Sequence, residues 1–163
     1  MAKRVAVEEK MEALKRVKDF LSKQNPPVEV IVLNADTSTA PLAAKALGVE
    51  VGAIAKTIVA VGKSKAVLVV AAGDVKLDFK KLKAVTGEKM RLARAEEVEE
   101  LTGFKPGGVC PFALKKPLPI LIDESLERFP VVYAAAGSPN SAVPITVSRL
   151  LEITGGQKCR VTE

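Results

Sequence analysis

Apolar residues recur along residues 5–24 at three- and four-residue intervals. Met11, Leu14, Val17 and Leu21 share one face of the amphipathic helix this spacing predicts. Lys10, Lys15, Arg16, Lys18 and Lys23 lie around the other side and read first as a solvated face, with an RNA contact as the sharper alternative. Asn25-Pro26-Pro27 stops the helix, since proline cannot continue its hydrogen bonding. The apolar run 28–33 then reads as a strand. In the next segment Thr39 is placed to cap a helix, Pro41 falls in its first turn and Gly48 supplies its stop.

Two apolar runs, 54–61 and 66–72, flank Gly62-Lys63-Ser64-Lys65 and predict a hairpin. A helix follows at 79–86, capped by Asp78 and stopped at Gly87. A short strand at 89–92 leads into an acidic helix at 95–102 that Gly103 ends. Strands are expected at 118–122 and 131–136, and a last helix at 148–154 before Gly155-Gly156. Hairpin-joined strands with interspersed helices predict an α+β class with a mixed sheet, not the strict βαβ alternation of a doubly wound fold. The expectation is one domain, residues 1–163, led by the amphipathic helix within residues 1–27.

Composition narrows the chemistry. The 163 residues are 48% hydrophobic and 27% charged, which suits a globular domain, and no apolar stretch approaches the ~20 residues of a membrane helix. The charged N-terminus does not read as a secretion signal, so a cytoplasmic protein without a membrane partner is expected. There is no histidine, which excludes Ser-His-Asp and Cys-His arrangements, an imidazole base and His-based metal sites. Cys110 and Cys159 form no CxxC pair and by themselves cannot complete a tetrahedral zinc site, so neither a metal nor a cofactor is expected. Any catalysis must use backbone amides, a cation or the substrate's own groups.

The formal charge of +6 favours an anionic partner. With one Tyr, five Phe and no Trp, a broad platform for stacking bases is not expected. Residues 76–94 carry seven Lys or Arg against two acids, and the adjoining AEEVEE run offers four carboxylates to offset them.

Three local features carry candidate chemistry. Lys56 interrupts the apolar strand IAKTIVAV, where it either snorkels to solvent or projects into a cleft. Gly62-Lys63-Ser64 imitates a phosphate loop, but Thr57 stands at the required upstream glycine and the segment joins two strands. Gly107-Gly108-Val109-Cys110-Pro111 either forms an ordinary turn or aims successive N–H groups at one oxyanion. The turn Gly137-Ser138-Pro139-Asn140 can close a pocket. Thr37 and Thr39 stand at the positive end of the second helix, where capping or an anion explains them equally well. Cys110 lacks a base to activate it as a nucleophile.

Taken in order, Lys56-Thr57 in a strand, a GxxxP segment at 107–111 and IDESLERFPVVYAAAG resemble the YbaK/ProX/EbsC family of free-standing aminoacyl-tRNA deacylases, over about residues 30–155. The resemblance implies a curved, partly barrel-like mixed sheet surrounded by helices. It implies hydrolysis of the ester of mischarged tRNA, notably Ala- or Cys-tRNA(Pro). Lys56 would engage the phosphate region of the terminal adenosine, and the amides of Gly108, Val109 and Cys110 would stabilise the oxyanion. Gly107, Pro111 and Gly137 would border the substrate, with Thr37, Thr39 and Ser138 as polar wall residues. Ser138-Pro139-Asn140 departs from family branches that place a histidine in or near that turn, a departure that bears on amino-acid specificity.

The resemblance also implies substrate assistance, in which the neighbouring ribose hydroxyl activates water. The partner it implies is the tRNA acceptor end; since 163 residues leave no separate anticodon-binding module, such an enzyme is expected either to read the acceptor stem itself or to rely on a partner, prolyl-tRNA synthetase. The competing reading is a non-catalytic RNA- or synthetase-binding module of the same fold, and a third is a domain binding a phosphorylated metabolite. The pattern specifies no oligomeric state.

Overall fold

The structure is a computed structural model that describes residues 2–163, with side chains from residue 11 onward. The placement of Lys10 on the polar face of the first helix lies outside the described side chains.

Helix α1 spans Ala2–Ser22. Ala13, Val17 and Leu21, four residues apart, form its buried ridge. Met11 does not join them and is 65% exposed. Six residues before Val17, at ~100° per residue, it is turned about 120° off the ridge. Arg16 also departs from expectation. It is half-buried, its guanidinium stacks 4.7 Å from the Phe104 ring centroid, and its Nε donates to Ala113 O at 3.1 Å.

The remaining elements follow in the order β1 (Ile31–Val32), α2 (Ala40–Leu47), β2 (Ile54–Gly62), β3 (Ala66–Ala72), α3 (Phe79–Thr86), β4 (Met90–Leu92), α4 (Ala95–Thr102), β5 (Ile120–Asp123), β6 (Val132–Ala134), β7 (Ser141–Ile145), α5 (Val147–Thr154) and β8 (Gln157–Cys159). Short 3-10 turns occur at Val51–Ala53 and Glu124–Arg128. The caps read from sequence are in place. Thr39 Oγ1 accepts from Leu42 N, Asp78 accepts from Lys80 N and Lys81 N, and Gly48, Gly87, Gly103 and Gly155 end their helices in the left-handed region.

Strand order is β1-β7-β6-β2-β3-β5-β8, with β4 attached to β2 beside β6. The β2/β3 hairpin is antiparallel from Ala55↔Ala72 to Val61↔Ala66. The β2/β6, β3/β5 and β5/β8 pairs are parallel. The sheet is therefore mixed, and the fold class is α+β. The terminal strands β1 and β8 do not pair, so the sheet stays open rather than closing into a barrel.

Along β3, Leu68, Val70 and Ala72 enter one hydrophobic core with α1, whereas Val67, Val69 and Ala71 enter a second core under Leu82 of α3. Burial on both faces is why this strand reads as a continuous apolar run.

The expected strand 28–33 contracts to Ile31–Val32, paired with Ala142 and Ser141. Further along β7, Pro144 lacks the N–H that a longer ladder would use. That proline also hides β7 in the sequence, and β8 is too short and polar to stand out.

Asp123 at the end of β5 is fully buried. Its carboxylate accepts from Val161 N at 2.8 Å, Ser125 N at 3.0 Å and Thr162 Oγ1 at 2.9 Å. Burial pushes its pKa up, but these bonds outweigh it and hold the group below its ordinary value. The extra stability is therefore present above the ordinary carboxylate pKa of about 3.9 and is lost as the pH falls through the lower folded value. Asp123→Asn should cost about 3 kcal/mol at pH 7 in urea unfolding. The gap between variant and wild type should narrow below about pH 4, and a pH-independent gap would contradict the assignment.

Candidate functional site

The outer edge of β2 changes partner partway along. Ile54 and Ala55 pair with Tyr133 and Ala134 of β6 in parallel, whereas Ala60–Gly62 pair with β4 in the antiparallel sense. Residues 56–58 border no strand on that side, and Val59 O accepts from Ala93 N at 2.9 Å just past β4. Here a cavity of about 250 Å³ opens, lined on the β2 side by Lys56, Thr57 and Val59 and by Pro106, Gly107 and Val109 of the loop after α4. The 37–39 segment, the start of α2 and Tyr133–Ala135 complete its wall. Alternation along a strand sends Lys56 and Thr57 to opposite faces. They border one cavity because the sheet is split beside them.

Lys56 is half-buried, and its Nζ donates to Val75 O. Desolvation by burial lowers its pKa, and the nearby Asp74 carboxylate opposes that shift. The hydrogen bonds from Arg128 hold Asp74 itself below the usual carboxylate range, with Nη2–Oδ1 at 2.6 Å and Nη1–Oδ2 at 3.1 Å. The lysine therefore does not snorkel freely, and among the described residues it forms no direct ion pair.

The loop from Gly103 to Ala113 has no regular structure and is held by its side chains. Phe104, Cys110 and Phe112 are fully buried. Gly108 N–H donates to Lys105 O at 3.1 Å, and Gly108 O accepts from Gly137 N at 2.9 Å. A Cβ on Gly108 would meet the Gly137 carbonyl carbon and oxygen at 2.7 Å, so only glycine permits this approach. Gly107 has φ 95°, a left-handed conformation that also favours glycine. Among the described residues, no protein acceptor takes the N–H groups of Val109 or Cys110.

The cavity thus brings together Lys56, Thr37, Thr39, Gly107 and Val109. Gly108, Cys110, Pro111, Gly137 and Ser138 do not line it. Gly108 and Gly137 form the contact behind the loop. The Gly137 Cβ position lies 2.9 Å from Ala13 O of α1. Ser138 is buried, with its Oγ on Asn140 Oδ1 at 2.8 Å and its carbonyl accepting from Ser141 Oγ at 3.0 Å. Burial pushes the Cys110 thiol up to about 12, in keeping with a core role rather than that of a nucleophile. The hydroxyls on the opposite wall are engaged as well. Thr37 Oγ1 donates to Ser141 O at 3.3 Å, and Thr39 caps α2.

Thr57 was not singled out in the sequence as a wall residue. Its Oγ1 is buried and, among the described residues, has no hydrogen-bond partner. A hydroxyl beside Lys56 in an otherwise apolar run was the available signal. Tyr133, Ala135 and Ala142 also line the cavity and were hidden because β6 and β7 reach it only through long-range pairing. Among the described residues, no group of three or more His, Cys, Asp or Glu could hold a metal ion, and no helix is long and apolar enough to cross a membrane.

Residues 34–153 match the aminoacyl-tRNA editing domain family. The chain is 38% identical over 143 residues to the uncharacterized protein YwhH of Bacillus subtilis, covering 87% of this chain and 91% of that protein. It is 32% identical over 129 residues to EbsC of Enterococcus faecalis, a candidate Cys-tRNA(Pro)/Cys-tRNA(Cys) deacylase, covering 78% and 79%. A crystal structure of a candidate trans-editing enzyme for prolyl-tRNA synthetase superposes with a TM-score of 0.86 at 40% identity, covering 93% of this chain and 97% of that one.

Two outcomes follow from the loop geometry. Cys110 in the native protein should resist a thiol reagent at pH 8 and react only on unfolding; labelling at native rates would place the thiol outside the core. Gly108→Ala should cost about 2 kcal/mol or more in chemical denaturation, because its Cβ meets backbone atoms that cannot swing aside. A neutral substitution would show that the loop moves easily.

Proposed function

The chain belongs to the aminoacyl-tRNA editing domain family, and from that premise we propose that it hydrolyses the ester of mischarged tRNA delivered in trans, with Ala- or Cys-tRNA(Pro) as substrate. The observation that carries this reading is the cavity shared by Lys56, Gly107 and Val109. Small residues dominate its wall, including Ala40, Ala43, Ala55, Ala134, Ala135 and Ala142. Discrimination among short side chains remains modest, since one methylene is worth about 1–3 kcal/mol.

In the proposed reaction Lys56 holds the phosphate region of the terminal adenosine, with Asp74 favouring its cationic form. The ester carbonyl lies against Gly107 and Val109. Water, oriented by the neighbouring ribose hydroxyl, adds to the carbonyl carbon. The negative charge that forms on the carbonyl oxygen meets the N–H group of Val109, which lines the cavity and which no protein acceptor takes among the described residues. Gly108 N–H, bonded to Lys105 O, shapes the turn rather than serving the oxyanion. The tetrahedral adduct collapses, the bond to the ribose oxygen breaks, and that oxygen takes up a proton. Free amino acid and uncharged tRNA leave. An activated ester with its own neighbouring hydroxyl explains how a chain without histidine performs this step.

Thr37, Thr39 and Gly107 border the acyl group in this reading, while Pro111, Gly137 and Ser138 hold the loop and turn that border it. Lys76, Lys80, Lys83 and Lys89 are exposed and supply charge for an acceptor stem, with prolyl-tRNA synthetase as the source of mischarged substrate.

The test is deacylation of a panel of aminoacyl-tRNAs by the purified protein. Ala- or Cys-tRNA(Pro) should turn over well above the spontaneous rate, and Lys56→Ala should lower kcat/KM by about 100-fold. Salt-sensitive tRNA binding with no hydrolysis of any panel member would overturn the deacylase reading and leave a binding module.

A further inference from the structure

The seat of Lys56 is built by residues outside the cavity. We propose that Asp74, gripped by the guanidinium fork of Arg128, is the positioning residue that fixes where the Lys56 ammonium rests. This rests on the deacylase reading for its catalytic consequence.

Lys56 Nζ bonds Val75 O, so the turn after β3, in which Val75 directly follows Asp74 in the chain, supplies the lysine's acceptor. That turn is fixed from several sides. Gly73 N donates to Ile54 O at 2.8 Å, tying it to the start of β2 two residues before the lysine. It packs so closely on the Val51–Ala53 turn that a Cβ on Gly73 would lie 2.5 Å from Val51 O. A Cβ on Gly52 would lie 2.9 Å from Asp74 Oδ2 and 2.8 Å from the Phe129 ring. Gly52 therefore leaves room for the carboxylate, and Gly73 for the close approach of the Val51 carbonyl.

Arg128 is aimed with equal care. It ends the Glu124–Arg128 turn, and its Nε donates to Ser125 O at 2.8 Å while its guanidinium stacks 5.1 Å from the Phe129 ring centroid. Ser125 Oγ accepts from Ala72 N at 3.1 Å, joining the same turn to the end of β3. Asp123 caps that turn through Ser125 N. A buried carboxylate thus anchors the turn that presents the guanidinium, which pins the carboxylate beside the lysine. Paired oxygens of one carboxylate on two guanidinium nitrogens fix orientation as well as distance, which a lone ammonium does not do.

The charges that act here are few. Asp74 acts on Lys56 and opposes the effect of its burial, Arg128 acts on Asp74, and Glu50 acts on Arg128. Neutralising Asp74 leaves desolvation of Lys56 unopposed, so the lysine must lose its proton at lower pH.

The test follows the Lys56 side chain by NMR of the protein carrying ¹³C-labelled lysine, with its signal assigned through Lys56→Arg. Deacylation of Ala- and Cys-tRNA(Pro) is measured alongside. Asp74→Asn should move the Lys56 titration midpoint down by about half a unit or more and reduce kcat/KM by about tenfold. Asp74→Glu should restore the midpoint but not the full rate, because the charge returns at a different reach. Arg128→Gln should leave the lysine ordered less well, seen as a broadened or shifted signal at neutral pH, with a loss of kcat/KM of similar size. A midpoint unmoved by Asp74→Asn, or wild-type rate and signal in Arg128→Gln, would overturn the inference. If the midpoint moves as expected while the wild-type protein hydrolyses no aminoacyl-tRNA, the lysine seat stands and the deacylase reading falls.

Discussion

A strand edge offers one row of donors and acceptors, and on β2 two different strands compete for it. Strand β6 approaches in parallel and stops at Ala55, while β4 approaches in the antiparallel sense and begins at Ala60. Residues 56–58 between them are left without a strand partner on that side, Val59 O being taken by Ala93 N just past β4. Elsewhere in a sheet core such an opening would be filled or would expose unpaired backbone. Here it becomes the cavity, and it allows consecutive residues, which alternation sends to opposite faces, to reach one site.

What stands across the opening is irregular backbone, made rigid by burial rather than by a hydrogen-bond ladder. Phe104, Cys110 and Phe112 anchor the loop in the core, and Arg16 of α1 grips its far end through Ala113 O. Gly108 and Gly137 meet backbone to backbone. Amides held in this way need no reorganisation when charge develops near them, which is the condition under which a main-chain donor contributes most to a transition state. The N-terminal helix therefore serves the site without touching the cavity.

Charge is divided between structure and surface. Arg91 makes a bidentate pair with Glu97 at 2.9 and 3.0 Å, and Arg94 reaches Glu96 at 3.4 Å, so the acidic helix α4 neutralises the end of the basic run. Lys81 bonds Thr162 O and is committed to the C-terminal segment. The exposed lysines of α3 and its flanks carry the remaining positive field. Counting charges along the chain overstates what a polyanion meets, because several of them are already answered within the fold.

The elements with local signals were legible. The β2/β3 hairpin, the helices α2 to α5 with their Thr, Asp and Gly boundaries, and the Val17 and Leu21 positions of the α1 ridge follow from short-range periodicity and capping chemistry, whereas Met11, which the spacing assigns to that ridge, lies off it. Lys56 and the glycine segment at 107–108 stood out because each violates its local pattern. What the residues could not disclose was where those exceptions go. The open edge of β2 depends on the meeting of three strands distant in sequence, β7 is masked by Pro144, and the Asp74–Arg128 pair joins positions 54 residues apart. The spending of the Gly108 N–H on Lys105 O, and the burial of Cys110, likewise depend on loop geometry. Spacing along the chain fixes which side chains share a face of one element. Only packing between elements decides which faces meet, which amides remain open and which charges answer one another.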